Sequence, residues 1–270
     1  MARRRRRAAA GERSCVSLLR EILAVKASEV AELRGHSFPS GAPRRPVSLR
    51  REPGTALRLI SEIKLRSPSA GPLSTALTIP ERARAYERAG ASMLSVLCDT
   101  RFFDGSYEHL AAARAATALP VLCKEFVIDE VQLDRARAFG ADAVLLIVRC
   151  LAPDRVAPLV RAARERGLEP FVEIVDEDEA RLALDAGATL IGVNARDLDT
   201  LRMDAARAAR TLASLPPGVT SVHLSGLHSP AAVTEVAAGP AHAALVGEVL
   251  MREDDPEPLL RSLVAAAGAA

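Results

Sequence analysis

A short tag recurs along this chain at intervals of roughly 50 residues, and that spacing limits the fold more than any other feature. It reads Ala89-Gly-Ala-Ser-Met-Leu-Ser-Val96, then Phe139-Gly-Ala-Asp-Ala-Val-Leu-Leu-Ile147, then Ala186-Gly-Ala-Thr-Leu-Ile-Gly-Val193. A weaker copy is Gly239-Pro-Ala-His-Ala-Ala-Leu-Val-Gly247. Each joins a glycine suited to ending a helix to an apolar run that suits a buried strand. One further strand fits between each consecutive pair of tags, over 120–123, 168–174 and 219–224, and another precedes the first tag over 57–63. That makes eight. Helices are expected between them over 80–89, 106–116, 129–139, 153–166, 176–186, 205–215 and 230–238, with a last one over 256–266; several begin at Pro or Asp. Eight strand–helix units without a large insertion define an α/β chain with a (β/α)8 TIM barrel. A doubly wound open sheet would call for a glycine-rich fingerprint after its first strand, and the Pro68/Gly71/Pro72 loop does not match one.

The barrel occupies residues 54–270, and what precedes it divides in two. Over 15–33, Leu18, Leu19, Ile22, Leu23, Val30 and Leu33 recur at helical spacing, with Arg20, Glu21, Lys26, Glu29 and Glu32 between them. An N-terminal helical extension is therefore expected, followed by an irregular connector rich in Pro, Arg and Gly up to residue 53. Residues 1–14 carry the run Arg3 to Arg7 and are expected to be a disordered tail; no apolar segment of a secretory signal follows the run. Taking those five charges from the formal total of +2 leaves residues 8–270 at a net −3, so the body of the protein offers no basic surface for nucleic acid. No apolar run is long enough to cross a bilayer. The four cysteines, Cys15, Cys98, Cys123 and Cys150, are far apart, and neither they nor the five histidines show metal-ligand spacing. Reduced thiols, no metal, no membrane and a cytoplasmic location are the expectations.

Barrel chemistry sits at the C-terminal ends of the strands, and those ends are polar here. Strand one ends in Glu62 and Lys64, which share a face because strand side chains alternate. Strand three ends in Lys124-Glu-Phe126, strand five in Glu173, and strand six in Asn194-Ala-Arg196. By alternation Lys124 shares a face with Leu122, and Glu173 with Phe171. Any one of these charges is more often structural than catalytic. Together, two acids, two lysines, an amide and a guanidinium at one rim form a candidate acid–base site, with a charge-balanced structural network as the alternative.

Strands seven and eight end in Ser225-Gly226 and Gly247-Glu248, each followed by a helix start. Glycines there let backbone N–H groups reach an anion, the usual barrel arrangement for phosphate. Glu248 suits that purpose through its backbone N–H and not through its carboxylate. The ligand class is thus a small phosphorylated molecule.

These residues together resemble the indole-3-glycerol phosphate synthase family. The resemblance rests on Glu62-Ile-Lys64 with Ser67-Pro-Ser69 and Gly71, on Phe103-Asp-Gly-Ser106, and on Pro120-Val-Leu-Cys-Lys-Glu-Phe126. It continues through Val172-Glu-Ile174, Ile191-Gly-Val-Asn-Ala-Arg-Asp-Leu198, Ser225-Gly226 and Val246-Gly-Glu-Val-Leu-Met-Arg252, in family order. It implies cofactor-free conversion of 1-(2-carboxyphenylamino)-1-deoxyribulose 5-phosphate to indole-3-glycerol phosphate, with loss of CO2 and water. It further implies Lys124 as the acid that protonates the ketone and Glu173 as the base of the dehydration. Lys64 would hold an anionic group of the substrate and is the other candidate for protonating the departing hydroxyl. Glu62 and Asn194 would orient the lysines and the substrate hydroxyls, and Ser67 and Arg196 would touch substrate. Ser225, Gly226, Gly247 and Glu248 would bind phosphate, and Phe103 and Phe126 would flank the aromatic ring. A monomer or weak homodimer is expected.

Glu125 stands where the family commonly has Asp, Ala195 where it has Asn or Ser, and Val249 where it has Ser or Ala. The related phosphoribosylanthranilate isomerases would need a Cys ending strand one and an Asp ending strand six, and this chain has neither. A non-catalytic barrel that binds through its Arg tail is the remaining alternative. The acid assigned to Lys124 is expected to work with a pKa lowered by a second cation nearby.

Overall fold

A computed structural model of the chain describes residues 18–52, 54–68, 71–197 and 202–268. The Arg-rich tail over 1–14, the helix residues expected over 15–17, and Ser69 lie outside the described residues. Eight parallel strands close into a barrel: β1 (Arg58–Ile63), β2 (Met93–Leu97), β3 (Val121–Lys124), β4 (Ala143–Ile147), β5 (Glu169–Ile174), β6 (Leu190–Asn194), β7 (Thr220–Leu224) and β8 (Ala243–Val246), with β8 pairing back onto β1. Ahead of them lies α1 (Leu18–Leu33). Around them run α2 (Ile79–Arg88), α3 (Tyr107–Ala116), α4 (Glu130–Ala138), α5 (Pro153–Glu165), α6 (Glu177–Asp185), α7 (Ala205–Ser214), α8 (Pro230–Ala237) and α9 (Glu257–Ala267). The expected elements occur, with ends displaced by one or two residues.

Local chemistry explains the helix starts. Thr78 and Glu81 form a reciprocal capping box on α2, as Asp129 and Gln132 do on α4, while the side chains of Ser106, Asp176, Asp204 and Ser229 cap α3, α6, α7 and α8. The tag glycines Gly90, Gly140 and Gly187 all take positive φ (98°, 88° and 79°), the left-handed turn that ends a helix and feeds the next strand. Gly239 of the weaker tag does not, because Pro240 follows it and restricts the residue before it.

Strand alternation sorts the core into two layers. Ile60, Met93, Leu122, Leu145, Phe171 and Val222 fill the barrel interior, while Leu59, Leu94, Val144, Leu146, Val172 and Ile191 pack outward beneath the helices. Counting two residues on from Ile60, Leu122 and Phe171 gives Glu62, Lys124 and Glu173. The polar ends therefore point up the barrel axis from a packed floor. Gly192 belongs to that floor: a methyl group there would lie 2.7 Å from Leu224 Cδ1 and 3.0 Å from the Phe171 ring, so the glycine makes room for the ring beneath the site.

The connector is irregular but closely held. It passes along α4, from the Arg34–Asp129 ion pair at the start of that helix to Ala42, whose carbonyl accepts from Arg137. It then closes the N-terminal end of the barrel, where Leu49 is buried in the interior layer. Arg45 donates to the carbonyls of Leu119 (2.8 Å) and Arg114 (3.2 Å), and Arg51 to those of Ala237 (2.7 Å) and Gly239 (3.0 Å). These guanidinium groups satisfy carbonyls at helix ends that have no intrahelical donor.

Candidate active site

At the C-terminal mouth of the barrel the predicted residues form one chain of contacts. Lys64 Nζ lies 2.9 Å from Glu62 Oε1, and Lys124 Nζ lies 3.6 Å from Glu62 Oε2 and 3.8 Å from Glu173 Oε2. Asn194 Nδ2 donates to Glu173 Oε1 at 2.8 Å. Its Oδ1 accepts from the Ser225 hydroxyl (2.8 Å) and from the Arg196 backbone N–H (2.9 Å), which fixes which way the amide faces. Signs alternate along the line Lys64, Glu62, Lys124, Glu173, so each buried charge faces an opposite one. Lys124 lies beyond good hydrogen-bond distance of either acid. A substrate oxygen therefore competes with two loose contacts and not with a closed ion pair.

The electrostatics correct one expectation. Burial alone would lower the Lys124 pKa, but the charges of Glu62 and Glu173 outweigh it and hold the ammonium above its ordinary value. Burial likewise would raise Glu62, and Lys64 and Lys124 together hold it below the usual carboxylate range. Lys124 is thus charged at neutral pH, the form a general acid needs. Glu62→Gln removes one of the two carboxylates that raise Lys124, so the alkaline limb of kcat/KM is expected to move to lower pH. A pH–rate profile with that limb in its wild-type place would refute the coupling.

The phosphate-side residues line the same pocket. Ser225 and Gly226 both adopt left-handed backbone, with φ of 69° and 87°. A non-glycine residue is uncommon there, and the His223 ring nitrogen contacts the Ser225 carbonyl at 3.0 Å. Gly247 packs against Glu62: a methyl group at its Cα would lie 2.6 Å from Oε1. The Glu248 carboxylate accepts from Arg252 at 2.7 Å and is held below its usual pKa first by that bond, which suits a residue offering its backbone to an anion. Gly247→Ala is expected to push the Glu62 carboxylate aside and to raise KM about tenfold, read by steady-state kinetics with inorganic phosphate as inhibitor. Unchanged KM and phosphate inhibition would show that the contact is slack.

Phe103 and Phe126 both line the pocket, their ring centroids 6.0 Å apart and tilted by 31°. Ser67 is buried at the rim, and Arg196 lines the pocket on the β6 side. The structure thus brings all thirteen predicted site residues to one mouth.

Two features were not anticipated. Leu18, Leu19 and Ile22 of α1 line the pocket, so the extension helix forms part of its wall. Lys26, taken from the sequence as one of the polar residues of that helix, is instead buried at 1 % exposure. The signal was present in the spacing, since Ile22, Lys26 and Val30 form one i, i+4, i+8 stripe and all three are buried. A lysine in an apolar stripe calls for acidic partners.

A closed (β/α)8 barrel with acids and lysines at its C-terminal mouth, beside glycine-bearing strand ends, defines an enzyme of the acid–base barrel class. The fold is shared with a solved 3-hexulose-6-phosphate synthase from Salmonella typhimurium at a TM-score of 0.63 and 17 % identity, covering 78 % of this chain and 98 % of that one. The family model described as indole-3-glycerol phosphate synthase matches residues 19–263. An indole-3-glycerol phosphate synthase of Exiguobacterium sp. is 42 % identical over 248 residues, covering 92 % of this chain and 96 % of the relative. Indole-3-glycerol phosphate synthase 2 of Streptomyces coelicolor is 48 % identical over 214 residues, 79 % and 82 % of the two chains. The chain belongs to the indole-3-glycerol phosphate synthase family.

Proposed function

We propose that this chain closes the pyrrole ring of indole-3-glycerol phosphate, from 1-(2-carboxyphenylamino)-1-deoxyribulose 5-phosphate, by acid–base catalysis at the mouth described above. The observation that carries the reading is the placement of charged Lys124 between Glu62 and Glu173 in the pocket that also holds Phe103, Phe126 and the glycines of β7 and β8. The aromatic carbon bearing the carboxylate attacks the ketone carbon, and Lys124 gives its proton to the ketone oxygen. The carboxylate then departs as CO2, and its bonding pair restores the aromatic ring. Loss of the new hydroxyl as water completes the heterocycle, with Glu173 taking the proton that must leave and Lys64 beside the departing oxygen. Asn194 keeps Glu173 aimed, and backbone at Ser225-Gly226 and Gly247-Glu248 holds the phosphate. An acid and a base 3.8 Å apart in one pocket suit a condensation followed by a dehydration.

Among the described residues no helix is long and apolar enough to cross a membrane. With a phosphorylated metabolite as substrate, that supports a cytoplasmic enzyme, for which we infer a monomer or weak homodimer. Incubating the purified chain with the substrate and following indoleglycerol phosphate fluorescence tests the reading. Absence of product from a folded sample would overturn it.

A further inference from the structure

A buried cluster outside the reacting groups ties the extension helix to the aromatic end of the pocket. Lys26 Nζ lies 2.7 Å from Asp99 Oδ2, 2.8 Å from Glu29 Oε2 and 3.1 Å from Glu125 Oε1. Lys26, Asp99 and Glu125 are all at most 3 % exposed, while Glu29 is at the surface. One cation therefore faces three carboxylates, two of them out of water.

Both buried acids have a second contact, one to the backbone of the pocket residue Phe126 and one to Phe102, the neighbour of the pocket residue Phe103. Asp99 follows β2, and its Oδ1 accepts the Phe102 backbone N–H at 2.6 Å, capping the short helical turn Thr100–Phe103. Glu125 follows Lys124, and its Oε1 accepts the Phe126 backbone N–H at 2.7 Å. The ammonium is thus one carboxylate away from the Phe126 backbone and from the short helical turn that ends in Phe103. One and two turns earlier on the same helix, Ile22 and Leu19 complete the apolar wall beside them.

We infer that Lys26 is a positioning residue for the aromatic half of the substrate: through Asp99 and Glu125 it sets the spacing of Phe103 and Phe126 and seats α1 against them. The inference rests on the ring-closure reading, which supplies the aromatic ring. The two ring centroids stand 6.0 Å apart, and the shared lysine holds both backbone segments that carry them to one anchor. Charge supports the arrangement: burial, with Asp99 adding to it, pushes the Glu125 carboxyl up to about 7 even with Lys26 beside it. Without the cation Glu125 would take up a proton at neutral pH, and its hold on the Phe126 N–H would weaken.

The test is Lys26→Met, with two ligands that each report one half of the pocket. One is 2-aminobenzoate, the aromatic half of the substrate, titrated directly onto the protein by its own fluorescence. The other is inorganic phosphate, titrated by calorimetry. The expected result is about a tenfold weaker 2-aminobenzoate affinity and a KM raised by a similar factor. Phosphate affinity stays at the wild-type value, kcat within about threefold, and Lys26→Arg recovers part of the loss. Equal weakening of both ligands would mean general loosening, and no weakening of either would mean a simple ion pair; each overturns the inference. If Lys26→Met does not fold, pairing it with Glu125→Gln removes one stranded charge, and wild-type constants in that variant overturn the inference as well. Wild-type turnover in the same samples reports separately on the ring-closure reading, because 2-aminobenzoate binding is read without turnover.

Discussion

Lys124→Met is expected to lower kcat by a factor of roughly 10² to 10⁴, the usual worth of a positioned general acid, with KM changed by no more than about threefold. Methionine keeps most of the apolar stem and removes the terminal nitrogen with its charge and its protons. The ammonium stands 3.6 and 3.8 Å from two acids that are themselves fixed, Glu62 by Lys64 and Glu173 by Asn194. Removing it leaves those two carboxylates facing one another without a cation between them. Ring attack on the ketone then develops negative charge on an oxygen with no donor in place. Because this step precedes loss of the carboxylate, CO2 release and indole formation are expected to fall together. A variant releasing CO2 at the wild-type rate would remove Lys124 from the first step, and Lys64 would take its place as the acid.

Glu173→Gln is expected to cost kcat a similar 10² to 10⁴-fold, with a different signature. The glutamine carbonyl can still accept from Asn194 Nδ2, so the bond now measured at 2.8 Å persists and the side chain keeps its place. What is lost is the capacity to take a proton. Dehydration follows decarboxylation in the proposed order, so a single-turnover experiment is expected to release CO2 well before the indole fluorescence develops. Equal slowing of both signals would place Glu173 in the first step. The substitution also removes one of the two charges that raise Lys124, so the alkaline limb of the profile is expected to fall in pH here as well.

Much of the site could be read before any coordinates, for a reason visible in particular residues. Ile60, Leu122 and Phe171 are interior positions on three strands, and period-two alternation carries that orientation to Glu62, Lys124 and Glu173. The tag glycines marked where helices end because a left-handed residue is needed there. Where Pro240 follows Gly239, the same motif gave a different backbone. The extension helix was legible as a helix and not as a wall of the pocket. Helical spacing shows that a face is apolar; it does not show what covers it. Leu49 gave no signal at all, because a lone leucine in an irregular connector reads the same whether it is exposed or seals the end of a barrel.

The sequence by itself determined which side chains end the barrel strands and which way they face, since both follow from a two-residue repeat and from closure into eight units. Only the tertiary structure decided who neighbours whom. The closed sheet brought both Glu62 and Glu173 to Lys124, which reversed the expected direction of the Lys124 pKa. The packing of α1 delivered Lys26 to Asp99 and Glu125 from more than seventy residues away in sequence. Coulomb energy depends on a few ångströms of separation and on exclusion of water, and both are set by how distant segments pack.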